Sequence, residues 1–255
     1  MGRVRSALGR LLPRSARRAL RRRLRDRSKA RSIRTPDMGD LRRTEPISRT
    51  WGADRGRPVD RYYIDSFLEG HRADIGGHTL EIGNSLYTER FGSGVTAADV
   101  LHVEEGAPNA TIVGDLATGE GCPSDTFDCI LLTQTLHEIY DVAGALRTVR
   151  RMLRPGGVLL ATVPGISGII HPDAERWGDY WRFTTYSLER LFAGAGLPAE
   201  IRSRGNVLAA TAFLYGLASR ELSTAELETA DPDYQVLLTI RAVKPGPEPA
   251  LRPGG

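Results

Sequence analysis

The sequence predicts an α/β protein built on a mainly parallel sheet with helices on both faces and a late antiparallel strand. Three observations predict it. Short apolar runs recur between stretches of helical spacing, glycine or proline punctuates the joins, and 255 residues with 40% apolar content suffice for one sizeable core.

The first helix is expected from "RPVDRYYIDSFLEGH". Pro58 suits a first turn, and Val59, Tyr63, Ile64, Phe67, Leu68 and His71 recur at helical spacing before Gly76-Gly77 ends the pattern. Strands follow at "TLEI" (79–82), "VTAADVL" (95–101), "TIV" (111–113), "CILL" (129–132) and "VLLATV" (158–163). Between the last two, Ile139, Val142, Ala143, Leu146, Val149 and Leu153 mark a helix of about four turns, closed by Pro155-Gly156-Gly157. "TTYSLERLFAGAG" reads as a capped helix ending in glycine. "NVLAATAFLYGLA" (206–218) reads as a core helix too short to span a bilayer, and "YQVLLTIRAV" as a last strand, antiparallel at the end of the sheet.

Charge divides the chain. Residues 1–43 hold 16 of the 35 Lys and Arg but three of the 31 Asp and Glu, a surplus of thirteen positive charges, whereas the remaining 19 basic and 28 acidic residues leave a deficit of nine. The expected organisation is a basic extension over 1–43, one folded domain over 44–244 and a Pro/Gly-rich tail over 245–255. The block "RSARRALRRRLRDRSKARSIR" admits a solvated tail, or a surface helix whose Leu11, Leu12, Leu20 and Leu24 lie on anionic lipid; nucleic acid is the least favoured target. No apolar stretch follows the basic start, which argues against a signal peptide and leaves an organelle transit peptide open. Cys122 and Cys129 form no CxxC pattern and have no histidine at ligand spacing, so neither zinc nor a disulfide framework is expected. The expected location is the cytoplasm, with peripheral attachment to the inner face of a membrane. Oligomeric state is left open.

In an open α/β sheet, ligands bind outside the carboxyl ends of the strands. Those ends here carry Glu81-Ile82-Gly83, Asp99, Gly114-Asp115-Leu116 and Thr133-Gln134-Thr135. Successive acidic groups do not suit a pyrophosphate, which calls for glycines, a helix N-terminus and cations. They suit a ligand with a positive charge and hydroxyls, because a carboxylate accepts two hydrogen bonds from a diol.

The order "LEIG", "GDL", "FDCILLTQTLHEI", "RMLRPGGVLLATVPG" resembles the class I S-adenosylmethionine-dependent methyltransferases, small-molecule group, over roughly residues 58 to 200. "FDCILLTQTLHEI" with "LRPGGVLLATVP" is the most specific part. "GDYWRFTTYSLERLF" and the segments after it also look like bacterial methyltransferases found beside or fused to glycosyltransferases of polysaccharide assembly. The resemblance implies a Rossmann-like fold, S-adenosylmethionine as cofactor and in-line methyl transfer. It departs from the family at the glycine loop, where acid-x-Gly-x-Gly-x-Gly reads Glu81, Gly83, Ser85, Tyr87. Ser85 is small enough to preserve close approach, whereas Tyr87 must point elsewhere or cover the methionine.

By the same resemblance Gly83 and Ser85 lie under the methionine, Asp99 or, failing it, Glu104 takes the ribose hydroxyls, and Asp115 and Leu116 hold adenine; by position, Gln134 at the end of its strand meets the amino-acid end, and Tyr63 on the first helix either closes over the cofactor or packs in the core. A small-molecule or glycan acceptor methylated at oxygen needs a base, for which His137 is the candidate, with Asp141 as alternative base or orienting partner. The non-repetitive stretch "PGISGIIHPDAERWGDYWRFT" offers His171, Tyr180 and Arg182 as acceptor contacts, with no metal. A non-catalytic partner of a glycosyltransferase or membrane assembly is the rival reading. An NAD-dependent oxidoreductase is disfavoured by the missing glycines.

Overall fold

The computed structural model describes residues 37–169 and 171–246. By its contacts the chain divides into two units, Met1–Thr44 and Glu45–Gly255. Of the first, residues 37–44 are described, and they contain one 3₁₀ turn over Gly39–Arg42. The basic stretch up to residue 36, the C-terminal 247–255 and the readings attached to them lie outside the described residues.

The second unit is a seven-stranded sheet. In chain order its strands are β1 (Gly77–Ile82), β2 (Val95–His102), β3 (Ile112–Val113), β4 (Phe127–Thr133), β5 (Leu153–Pro164), β6 (Ala199–Arg204) and β7 (Leu237–Val243). Their spatial order is β3-β2-β1-β4-β5-β7-β6, with β7 antiparallel to both its neighbours and the other pairs parallel. Strand order reverses between β1 and β4, which opens the crevice at their carboxyl ends. The last strand therefore does not close the sheet as expected from sequence: β6 lies outside it. Ala199 and Ile201 alternate with Glu200 and Arg202 on this half-exposed edge, a pattern too short and too polar to read as a strand.

Helices cover both faces. α1 (Val59–Gly70) and α6 (Val207–Tyr215) pack Tyr63, Ile64, Phe67, Leu68, Ala209 and Phe213 onto Cys129, Leu131, Val158 and Leu160. On the opposite face, α3 (Val142–Met152) and α5 (Thr185–Gly194) bury Leu146, Val149, Met152, Leu188 and Phe192 against Leu80, Ile130, Leu132 and Leu159. Successive strand residues alternate between these cores, so β4 and β5 are buried on both sides and read as unbroken apolar runs. The remaining helices are short: α2 (Leu86–Phe91), α4 (His171–Trp177) and α7 (Thr224–Glu228).

Two local features bear on the site, and the first departs from the helix of about four turns expected from sequence. The α3 helix is 11 residues long, because Asp141 caps it by accepting from Gly144 (2.8 Å) and Ile139 is extended. Residues 136–138 form a separate 3₁₀ turn directly after β4. No helix joins β2 to the two-residue β3, so residues 103–111 form a loop beside the crevice. Among the described residues no helix is long and apolar enough to cross a membrane.

Candidate active site

Two cavities open at the carboxyl ends of the strands. The first, about 500 Å³, lies over β1, β2, β3 and β4 and is lined by Gly83, His102, Asp115, Leu116, Gln134 and Tyr180 among others. The second, about 380 Å³, is walled by the segment 51–61, the turn after β4 and the loop after β5; Trp51, Asp60, Arg61, His137, Asp179 and Arg182 are among its lining residues. Among the described residues, only Gln134 and Glu138 line both.

Gly83 holds φ +80° at the end of β1 and donates to the Leu101 carbonyl (3.0 Å); a side chain there would project into open space. The turn needs glycine for its left-handed backbone, and the bare backbone faces the first cavity. Asp115 sits at the end of β3, where Oδ1 accepts from Ala117 (2.7 Å) and Oδ2 takes no bond among the described residues. Beside it Leu116 is buried and forms an apolar wall. Gln134, with φ +49°, is held by its N–H donating to Thr162 (2.9 Å). A non-glycine residue in that region stores roughly 1–3 kcal/mol of strain, tolerated where the surroundings dictate it.

Several residues named from sequence sit elsewhere. Both carboxylate oxygens of Glu81 accept from the first turn of α2, at Tyr87 (3.1 Å) and Thr88 (2.7 Å), so Glu81 fixes the turn after β1 and faces neither cavity. Burial raises its pKa. Ser85 lies outside both linings and donates to Glu89 (2.6 Å). Tyr87 points away from the cleft, stacked on Phe91 at 6.1 Å, which settles the choice that the altered glycine loop left open. Asp99 lies three residues before the end of β2, bound to His78 (2.6 Å) and Thr111 (2.6 Å), and does not reach the crevice. Glu104 follows the cleft-lining His102 and Val103 and pairs with Arg176 of α4 (2.8 Å). Tyr63 is 4% exposed in the core, donating to Leu227 (2.9 Å), because the inner face of α1 packs on the sheet.

Of the residues expected to serve an acceptor, His137 lines the second cavity, whereas Asp141 caps α3 instead of orienting it and His171 lies exposed on α4 outside both linings. Tyr180 lines the first cavity, with its ring edge-on to Tyr140. Arg182 lines the second but has no donor left for a ligand: its five N–H groups meet Asp179, through both Nη atoms, and the carbonyls of Ser167, Gly168 and Trp181. It locks the loop after β5.

Electrostatics separates His137 from its neighbour. Burial pushes the imidazole down to about 4, against the opposing pull of Asp179, so the ring is neutral near pH 7. Its Nδ1 is buried without a partner. Glu138 moves the other way, raised to about 7 by burial and then by Asp173 and Asp179. Sequence reasoning passed over the half-buried Glu138 and over Asp60, a buried carboxylate whose pKa is also raised by desolvation. The only available signal was acidic residues embedded in "TLHEIY" and "RPVDRYY", which fix no facing without the 3₁₀ turn and the helix start.

The first cavity fits S-adenosylmethionine. Its volume is in the range for cofactor sites, bare backbone lies at Gly83, an unpaired carboxylate oxygen at Asp115 and an apolar wall at Leu116. Comparison with known proteins agrees. Residues 61–198, more than half of the chain, match a family described as a methyltransferase domain. Comparison of the sequence with curated proteins gives no match. Among solved structures, a putative sarcosine dimethylglycine methyltransferase from Galdieria sulphuraria aligns with TM-score 0.50 and 17% identity over 72% of this chain and 86% of its own. The N-methyltransferase NodS from Bradyrhizobium japonicum, in complex with S-adenosyl-L-homocysteine, aligns with TM-score 0.48 and 16% identity over 74% and 89%. With its residue match, strand order and cleft, the chain belongs to the methyltransferase domain family and is an S-adenosylmethionine-dependent methyltransferase with the class I fold.

Proposed function

We propose that the protein methylates a hydroxyl of a small molecule or a single glycan unit. The observation that carries this is the pair of cavities meeting only at Gln134 and Glu138. The donor has one chamber and the acceptor the other, so transfer must occur at their shared wall. At about 380 Å³ the acceptor chamber suits a molecule of one or two rings. Trp51 and Phe213 give it apolar faces, and Asp60 and Arg61 give it polar ones.

The cofactor supplies an already activated methyl group. The chain's contribution is alignment, worth about 7–11 kcal/mol of the barrier when reacting groups are held in attack geometry. In this reading Gly83 receives the methionine part on bare backbone, Asp115 and Leu116 hold adenine, Gln134 meets the amino-acid end, and Glu104, in place of Asp99, takes the ribose. His137, neutral and partly buried, offers the acceptor a hydrogen bond instead of removing its proton. Basic residues 1–43 bring the enzyme to an anionic membrane surface, where polysaccharide assembly would supply a glycan.

A second reading, an amine acceptor, is favoured by Glu138 and Asp173, which line the chamber without forming a salt bridge to any Lys or Arg among the described residues. Incubation with labelled S-adenosylmethionine and a panel of alcohols, sugars and amines, followed by mass spectrometry, decides: a methylated hydroxyl supports the proposal, and a methylated amine replaces it. Failure to bind the cofactor would favour the non-catalytic partner.

A further inference from the structure

We propose that Glu138 is the catalytic base of the transfer and the counter-charge to the sulfonium, so that its carboxylate tells donor from spent product. The proposal rests on the placement of donor and acceptor given above. Glu138 is one of the two residues lining both chambers, and Gln134, the other, has no ionisable group. Its carboxylate takes no hydrogen bond among the described residues. Among the described residues the one cationic or imidazole nitrogen within 4 Å of it is His137 Nε2, at 3.9 Å, beyond bonding distance. A half-buried carboxylate without a donor is costly unless a ligand completes it.

The groups around it define its titration. From the same turn comes His137; from α4 and the loop after it, Asp173 and Asp179; from α1, Arg61, itself paired with Asp60 (3.0 Å); and from beyond, Arg182, committed to Asp179. Burial and then the two aspartates hold the proton on Glu138 up to about pH 7, and Arg61 opposes them. A cationic sulfur in the neighbouring chamber favours the carboxylate. As transfer proceeds, the acceptor oxygen's lone pair forms the new O–CH₃ bond, the S–CH₃ bond breaks with its pair left on sulfur, and the hydroxyl proton passes to a Glu138 oxygen. Sulfonium with carboxylate becomes thioether with carboxylic acid, so the desolvated junction stays neutral overall on both sides of the step. His137 cannot do this, because its ring gives up a proton too readily near neutrality.

The test needs no acceptor. The affinities of the whole protein for S-adenosylmethionine and S-adenosylhomocysteine are measured by titration calorimetry from about pH 5 to about pH 9. If the sulfonium lowers the Glu138 pKa by about one unit, preference for the methylated form rises about tenfold with a midpoint near neutrality. In Glu138→Gln that rise disappears while both ligands still bind. A flat preference in the native protein, or an unchanged rise in Glu138→Gln, overturns the proposal while leaving the cofactor assignment standing; absence of binding by either ligand would instead sink the assignment beneath it. If Glu138→Gln fails to fold, Asp173→Asn carries the test, because removing a like charge shifts the midpoint to lower pH. An unmoved midpoint assigns the titration elsewhere and overturns the proposal.

Discussion

At the scale of single residues, the cleft depends on side chains whose partners are already spoken for and a few whose partners are not. Asp115 is of the second kind, so Asp115→Ala is expected to weaken S-adenosylmethionine binding by about 1–3 kcal/mol with the fold intact, read by titration calorimetry; unchanged affinity would remove it from the site. Arg182 is of the first kind. Arg182→Lys leaves three donors for five acceptors and a point charge for a fork, and should destabilise the protein by roughly 1–3 kcal/mol in urea unfolding. His137 and Glu138 give stability opposite dependences on pH. The His137 pKa is depressed on folding, so its contribution is complete above 6.5 and is lost as pH falls through about 4; that of Glu138 is raised, so its contribution is complete below 4.5 and is lost as pH rises through about 7. His137→Gln should therefore lose less stability than the native protein on going from about pH 7 to about pH 4, and Glu138→Gln less on going the other way, by urea midpoint. Asp115, Leu116, Gln134 and Gly83 could be picked out in the sequence because strand ends are. Asp99 could not be excluded there, since only the register against β1 shows it three residues short of the crevice.

At the scale of elements, the second cavity owes a wall to α6, and α6 owes its position to one residue. Asn206 accepts from Leu208 (2.9 Å) and Ala209 (3.0 Å) as the cap, and donates to the carbonyls of Glu226 and Thr229 (2.7 Å each), tying α6 to α7. Asn206→Ala removes the cap and leaves buried groups unpaired, so a loss of about 2–4 kcal/mol is expected in chemical denaturation. A loss under about 0.5 kcal/mol would show that the cap does not hold the wall. Most elements were legible: α1, α6 and β4 announce themselves by spacing or apolar runs. β6 and the 3₁₀ turn at 136–138 did not, because an edge strand exposes half its side chains and a single turn has no period. The turn matters most, since it sets Glu138 at the junction and leaves Asp141 to cap α3.

At the scale of the whole molecule, charge and catalysis occupy different parts of the sequence. A chain beginning near Arg43 should keep its thermal shift with S-adenosylmethionine and lose sedimentation with anionic vesicles, to which each Lys or Arg near the surface contributes about 1 kcal/mol. Full-length protein that fails to sediment at low salt would contradict the membrane reading. In the function proposed, donor and acceptor meet at the wall shared by Gln134 and Glu138. A crystal structure with S-adenosylhomocysteine tests it most directly. Adenine is expected against Asp115 and Leu116, with the sulfur facing the wall shared by Gln134 and Glu138; a sulfur directed away from that wall, or a ligand outside the first chamber, would rule the arrangement out.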